Sequence, residues 1–358
     1  MREAAPAAKA MGARAMIVTG RSQERATALD GVPFSVPGEP TVDLVREGAQ
    51  TARDERCEVV MAIGGGSAID AGKAIAALLT NPGDPLDYLE VIGRGQPLKN
   101  PSAPMIAIPT TAGTGSEVTR NAVLASPEHR VKASLRSVHM LPRLAIVDPE
   151  LTFDLPPAIT ASTGLDALTQ LIEPYVSARA NPMTDLICVE GIGRAAAALP
   201  RVFFNGADEE ARADMSWASL LGGMALANAG LGAVHGFAAP IGGMFPAPHG
   251  AVCAAVLPHA MTVNVAALRQ RDPEGRALQR YEEIARMLTG RNDASAEDGA
   301  RWVADLCVWL EVPPLRKYGI GQRDLSDLVD KAGKASSMKG NPISLTTEEL
   351  MEIARRSL

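Results

Sequence analysis

Aromatic residues make up only 4% of this 358-residue chain, too few for the base-stacking platforms that bind single-stranded nucleic acid. No basic run offsets the formal net charge of −6, which argues against nucleic acid or an anionic membrane as a main partner. The four cysteines, Cys57, Cys188, Cys253 and Cys307, are scattered, with neither a CxxC pair nor the spacing of a disulfide framework. No uninterrupted apolar run reaches the roughly 18–20 residues of a bilayer span, and nothing resembles a signal peptide. A reducing cytoplasm is the expected setting. Cys253, close to His249 in sequence, could be a ligand, but a small buried apolar residue is the favoured reading.

What is present is an ordinary globular composition, 46% hydrophobic and 21% charged, in a chain long enough for two domains. Up to about residue 152 the pattern alternates. Helix-like REAAPAAKAMG precedes the strand ARAMIVTG, and RSQERATAL reads as a short helix before a short strand, PFSV. An amphipathic helix, TVDLVREGAQTARDERC, then leads into CEVVMAIGGGSAIDAGKAIAALL, a strand, a glycine turn and a helix. PMIAIPTT and LAIVD are further apolar strands. Near-continuous apolar strands between helices predict a parallel, doubly wound sheet. From residue 153 strand signals vanish, and helices are predicted near 160–178, 182–199, 208–229, 251–264, 274–290, 296–311, 323–335 and 346–357. The expected architecture is therefore an α/β dinucleotide-binding domain over 1–152 with a Rossmann-like parallel sheet, followed by an all-α domain over 153–358.

Two loops follow strands. Gly64-Gly65-Gly66-Ser67 lies between a strand and a helix, where backbone N–H groups and the helix dipole favour phosphate. It lacks the GxGxxG spacing, because Ile69 stands where the third glycine would be, and no Gly-Lys-Ser/Thr follows. Thr110-Thr111-Ala112-Gly113-Thr114-Gly115-Ser116 offers a second cluster of hydroxyls. Together they suit a long ligand lying across the strand ends, with phosphate and ribose oxygens to satisfy. The first strand ends in Arg21 and Ser22 rather than an acidic residue, which permits NADP(H) and favours it, unless Arg21 is simply a solvated cation.

The stretch GLGAVHGFAAPIGGMFPAPH carries His235 and His249, fourteen residues apart, with a Gly/Pro-rich turn expected between them. Upstream, Asp166 and Gln170 in GLDALTQLIEPY stand at i and i+4 and so share one helical face. A single histidine near an apolar helix is more often a hydrogen-bonded core residue, but two imidazoles with a carboxylate and an amide form a candidate divalent-metal set. His259, on the following helix, reads as structural.

Four stretches, GGGSAIDAGKAIA, IPTTAGTGSEVTRNAVL, DALTQLIEPYVS and GLGAVHGFAAPIGG…PHG, resemble the iron-containing (group III) alcohol dehydrogenase superfamily over nearly the whole chain. That superfamily also holds glycerol dehydrogenases and maleylacetate reductases. The resemblance implies a dehydroquinate synthase-like fold with an active site in the cleft between its domains. It implies hydride transfer between nicotinamide C4 and an alcohol or carbonyl held on a metal, Fe²⁺ or Zn²⁺. By the same resemblance Gly65, Gly66, Ser67 and Asp70 belong to the diphosphate turn, and Thr110, Thr111, Thr114 and Ser116 to the second nucleotide loop. Asn121 and Lys132 match positions lining the nicotinamide-ribose side, and Asp166, His235 and His249 match metal ligands and the catalytic centre.

Three departures from the family pattern stand out. Gln170 occupies a ligand position that is usually His, Ala239 replaces a frequent active-site His, and the usual first strand is missing before Arg2. Gln170 is expected to weaken metal binding, because an amide oxygen is a poorer ligand than imidazole for these ions. The expected function is an NAD(P)-dependent alcohol/aldehyde oxidoreductase acting on a small alcohol, aldehyde or oxo-acid, as a homodimer or larger homo-oligomer. A maleylacetate-type oxo-acid reductase, a dehydroquinate synthase-like lyase and a nucleotide-binding homologue without activity are the alternatives.

Overall fold

A computed structural model describes residues 1–27 and 29–358. The chain divides into two compact units, Met1–Thr111 with Gly115–Thr152, and Ala112–Thr114 with Phe153–Leu358.

In the first unit α1 (Ala4–Met11), β1 (Ala15–Thr19), β2 (Val32–Ser35), α2 (Val42–Asp54), β3 (Val59–Gly64), α3 (Gly66–Thr80), α4 (Pro85–Tyr88) and β4 (Met105–Pro109) alternate much as the sequence predicts. The described residues of RSQERATAL, 21–27 and 29, form a 3₁₀ turn, Glu24–Ala26, in place of the expected short helix, and Ala28 lies outside the described residues. The parallel sheet runs β2-β1-β3-β4-β7, with β7 at Leu144–Ala145. Every residue of β1, β3 and β4 is buried, which explains why these strands read as unbroken apolar runs. Gly72 lets α3 lie directly on β3, since a Cβ there would come within 2.8 Å of the Ala62 Cβ. The sequence reading missed one feature, the antiparallel hairpin of β5 (Asn121–Ser126) and β6 (Val131–Arg136). The alternation of half-buried and buried residues along β5 is the period-2 signal of a half-covered strand.

The second unit is helical: α5 (Pro157–Val176), α6 (Pro182–Phe204), α7 (Glu209–Ala229), α8 (Ala233–Met244), α9 (His249–Arg271), α10 (Arg276–Thr289), α11 (Ala296–Trp309), α12 (Leu325–Lys334) and α13 (Thr347–Arg356). Side-chain caps set several starts. Asn181 and Thr184 form a capping box on α6, Ser295 and Asp298 on α11, and Thr346 and Glu349 on α13. One expectation needs correction: the segment between the two histidines is mostly helix α8, with Pro240 inside it, and the break is confined to 245–248. Helix α9 is long and apolar enough to cross a membrane, with a mean hydropathy of 1.7 over its best window. Of that window 83% is buried, so α9 is an interior helix whose apolar surface is covered by its own unit.

Candidate functional site

The nucleotide loops sit at neighbouring strand ends of the first unit. β3 pairs β4 in parallel with Gly64 opposite Pro109, and the Thr110 N–H donates to the Gly64 carbonyl at 2.9 Å. A Cβ on Gly64 would lie 2.7 Å from the Ala68 Cβ and 3.3 Å from the Gly20 nitrogen, so only glycine allows this approach. Gly65 is the N-cap of α3 and supplies no side-chain acceptor, and the first turn carries no acid. The first N–H groups of α3 are therefore offered to an external anion. A Cβ on Gly65 would stand 3.4 Å from the Thr111 side chain, so the first loop runs directly beside the second.

Other predicted nucleotide residues take internal partners. Asp70 accepts from Ser116 Oγ and from the Val123 N–H at 2.9 Å, and pairs with Lys73 at 3.0 Å. Lys73, which the sequence reading passed over, is fully buried; its Nζ donates to the Ser116 carbonyl at 2.9 Å and to Thr119 Oγ1 at 3.0 Å. Burial lowers the Lys73 pKa, opposed by Asp70, and the ammonium ties the second loop to α3. Asn121 stands opposite Arg136 and Lys132 opposite Ala125, so four residues of ladder, about 13 Å, separate them. Lys132 is almost buried and pairs with Glu39 at 3.0 Å. Arg21 and Ser22 are exposed, and Arg21 Nε donates to the Pro37 carbonyl at 2.6 Å. Thr114 falls in the second unit, apart from Thr110, Thr111 and Ser116.

The second unit brings the metal candidates together. Asp166, Gln170 and Glu173 lie at i, i+4 and i+7 along one face of α5, and all three are buried. His235 is in the first turn of α8, and His249 opens α9. The Asp166 Oδ1 stands 3.5 Å from His235 Nε2 and 3.7 Å from His249 Nε2, and the two rings are 5.4 Å apart. Asp166 Oδ1 and Gln170 Oε1 are buried without a hydrogen-bond partner among the described residues, while Gln170 Nε2 donates to the Gly113 carbonyl at 3.1 Å. Each such buried, orphaned oxygen is costly unless something positive joins it.

Glu173, absent from the sequence prediction, organises His235. Its Oε2 lies 2.7 Å from His235 Nδ1 and its Oε1 accepts the Val234 N–H at 2.7 Å. With its proton held on Nδ1 by Glu173, His235 would offer its Nε2, which faces Asp166, to a bound ion. Asn341 Oδ1 accepts the neighbouring Ala233 N–H at 3.0 Å, so both acceptors meet the start of α8. This is possible because Gly232 has no Cβ, which would stand 2.9 Å from Asn341 Oδ1 and 3.0 Å from Glu173 Oε1. The only sequence signal for Glu173 was its spacing, three residues after Gln170 on the same helical face.

Cys253 needs a correction. It is fully buried, as expected, but its sulfur faces the imidazoles, 3.9 Å from His235 Nε2 and 3.7 Å from His249 Nε2. One donor atom each from Asp166, His235, His249 and Cys253 lies within 4.8 Å of all the others. Donors placed tetrahedrally about one ion at the usual Zn–N, Zn–O and Zn–S lengths lie about 3.3–3.6 Å apart. The four separations between Asp166 or Cys253 and the two imidazoles, 3.5–3.9 Å, need only a few tenths of an ångström of contraction, so these donors fit a divalent ion. Electrostatics agree. Burial opposes ionisation of Asp166, yet His249 and His235 hold its pKa below the ordinary value. Burial likewise works against the His235 imidazolium, but Cys253, Glu173 and Asp166 raise its pKa well above normal. The cluster attracts positive charge, which a proton supplies in part and a dication supplies better.

Close helix packing sets these distances. A Cβ on Gly250 would come within 2.6 Å of the Ser162 carbonyl oxygen, a backbone atom that cannot move aside. Gly250→Ala should push α9 off α5, cost about 1–3 kcal/mol and lower Tm by about 3–8 °C, with weaker ion retention. Calorimetry and ion content of the purified variant check this; an unchanged Tm would mean that the contact is looser than drawn.

Comparison with known proteins gives consistent results. Residues 1–149 match the profile described as iron-containing alcohol dehydrogenase, and residues 160–358 match the C-terminal profile of the Fe-containing alcohol dehydrogenase family. Alcohol dehydrogenase 4 of Schizosaccharomyces pombe is 40% identical over 320 residues, covering 89% of this chain and 73% of its own. A crystal structure of 1,3-propanediol oxidoreductase aligns with a TM-score of 0.88 at 33% identity, over 99% of this chain and 95% of that one. Sulfoacetaldehyde reductase from Bifidobacterium kashiwanohense, crystallised with NAD⁺, aligns with a TM-score of 0.84 at 32% identity, over 99% and 93%.

Proposed function

Because this chain belongs to the iron-containing alcohol dehydrogenase family, NAD(P)-dependent alcohol and aldehyde oxidoreductases that use a divalent metal, we propose that it interconverts a small alcohol and its aldehyde, with Asp166, Gln170, His235 and His249 holding the ion. The observation that carries this reading is the orphaned, buried Asp166 Oδ1 beside the two imidazole Nε2 atoms, at 3.5 and 3.7 Å. When bound, the ion supplies Lewis acidity toward the substrate oxygen.

The protein's own groups do the rest. Glu173 fixes the His235 tautomer, Gln170 is kept oxygen-inward by its bond to the Gly113 carbonyl, and buried Asp166 contributes negative charge. The N-terminus of α3 at Gly65, Gly66 and Ser67 receives the diphosphate, and Thr110, Thr111 and Ser116 of the same unit belong to the second nucleotide loop in this reading. Asp70 acts through Ser116, which it positions. Arg21, exposed at the end of β1 with Ser22, favours NADPH over NADH by attracting a 2′-phosphate. Asn121 and Lys132 belong to the nicotinamide-ribose side in this reading. We read the enzyme as a cytoplasmic homo-oligomer. The four cysteines free of disulfides and the exposed apolar row Met183, Leu186 and Val189 on α6 support this.

The test is NADPH and NADH oxidation across a panel of small aldehydes and oxo-acids, before and after chelation, with ion content measured. Aldehyde turnover that disappears on chelation and returns with Fe²⁺ or Zn²⁺ is expected, with NADPH preferred. Turnover indifferent to chelation would remove the Lewis-acid role; reduction of oxo-acids alone would make the enzyme an oxo-acid reductase.

A further inference from the structure

We propose that the sulfur of Cys253 is itself a ligand in this site, making it an Asp-His-His-Cys centre that selects a thiophilic dication such as Zn²⁺ over Fe²⁺. The inference rests on the reading of Asp166, His235 and His249 as metal ligands. Cys253 follows His249 by four residues on α9, so both side chains leave the same helical face. Its Sγ is 3.7 and 3.9 Å from the two imidazole Nε2 atoms, close to the spacing of S and N donors around a shared ion. Into the same place points the Asp166 Oδ1, buried and without a hydrogen-bond partner among the described residues.

The other buried thiols provide the contrast. The Cys307 sulfur donates to the Ala254 carbonyl at 3.5 Å, and burial pushes its thiol up to about 12. Cys188 is likewise pushed up to about 12 by burial. Neither faces a metal-ligating nitrogen. Only at Cys253 does α9 turn a thiol into a cluster of imidazole and carboxylate.

Charge arithmetic supports the assignment. A dication with Asp166 and neutral Gln170, His235 and His249 carries a net +1 in a buried site. Ionised Cys253 brings the shell to zero, which lowers the cost of burying the ion. On loading, the S–metal bond forms as the thiol proton leaves to solvent, with no change of oxidation state. The thiolate also offsets the weaker grip of the Gln170 amide and tilts selectivity from a harder toward a softer ion.

Cobalt(II) tests this on the full-length protein, stripped of metal and reloaded with Co²⁺ alone. The native protein should bind one equivalent and show cobalt d–d bands together with a thiolate-to-cobalt charge-transfer band in the near ultraviolet. Cys253→Ser should keep the d–d bands and lose the charge-transfer band, and its Zn²⁺-over-Fe²⁺ preference in competition should fall about tenfold or more. Native protein with d–d bands but no charge-transfer band would overturn the sulfur ligand and leave the metal site standing. Native protein that binds no cobalt would overturn the metal site and this proposal together. Because the native spectrum alone separates these outcomes, the test does not depend on the variant folding.

Discussion

Asp166→Asn should purify with its divalent ion reduced to background and lose about 10³-fold in kcat/KM for aldehyde reduction, roughly 4 kcal/mol of transition-state stabilisation. The change removes one negative charge and almost no volume, at a residue that is 1% exposed and whose Oδ1 faces two imidazoles at 3.5 and 3.7 Å. Without that carboxylate the remaining donors carry less charge to offset a dication, so affinity falls more than it would for an exposed ligand. Folding should survive, because an amide fills the same space and can still be approached by the imidazoles. Metal analysis, steady-state kinetics and far-ultraviolet circular dichroism would be run together. An Asn variant that retains a full equivalent of ion, or activity within tenfold of native, would remove Asp166 from the site.

Glu173→Ala should damage stability and metal binding at once. Truncation leaves the buried His235 Nδ1 and the Val234 N–H without their acceptor, at about 1–3 kcal/mol for each unsatisfied group. For a helical unit of this size that lowers Tm by about 5–15 °C. A free His235 ring no longer holds its Nε2 toward Asp166, and the loss of such an orienting partner typically weakens metal binding about 10–100-fold. Glu173→Gln, which keeps one acceptor oxygen, should fall between the two. A lowered Tm with unchanged ion affinity would make Glu173 a helix cap and nothing more. No change in either quantity would mean that the bonds to His235 and Val234 do not form.

Much of this was legible in the order of residues. The strands β1, β3 and β4 are buried on both faces, so every residue on them is apolar or small, and such a run cannot be mistaken for a solvated strand. Gly64 stands where the backbone must pass close to its own following helix, a Cβ there falling 2.7 Å from the Ala68 Cβ, and that need is local enough to be read from glycine alone. The i, i+4 spacing of Asp166 and Gln170 fixes a shared face whatever the rest of the protein does, because helix geometry demands it.

Helix α8 was not legible in the same way. His235–Met244 contains three glycines and a proline and reads as a turn, yet His235, Phe237, Ala238 and Ile241 are buried on it. Packing of that apolar face outweighs poor intrinsic propensity, and propensity is all that a single sequence displays. Glu173 was passed over, and Cys253 was read as apolar filling, for a related reason. A glutamate on a helix is usually solvated and a cysteine in a helix usually apolar filling, and which they are depends on what lies across from them.

The sequence by itself determined the layer architecture and the shared helical face of Asp166 and Gln170, because periodicity and backbone sterics act over a few residues. Only the tertiary structure decided that Glu173 meets His235 Nδ1, that Lys73 ties the second loop to α3, and that the sulfur of Cys253 faces His235. Those facts join residues 18 to 62 positions apart, and such distances are closed by helix packing, which no local pattern encodes.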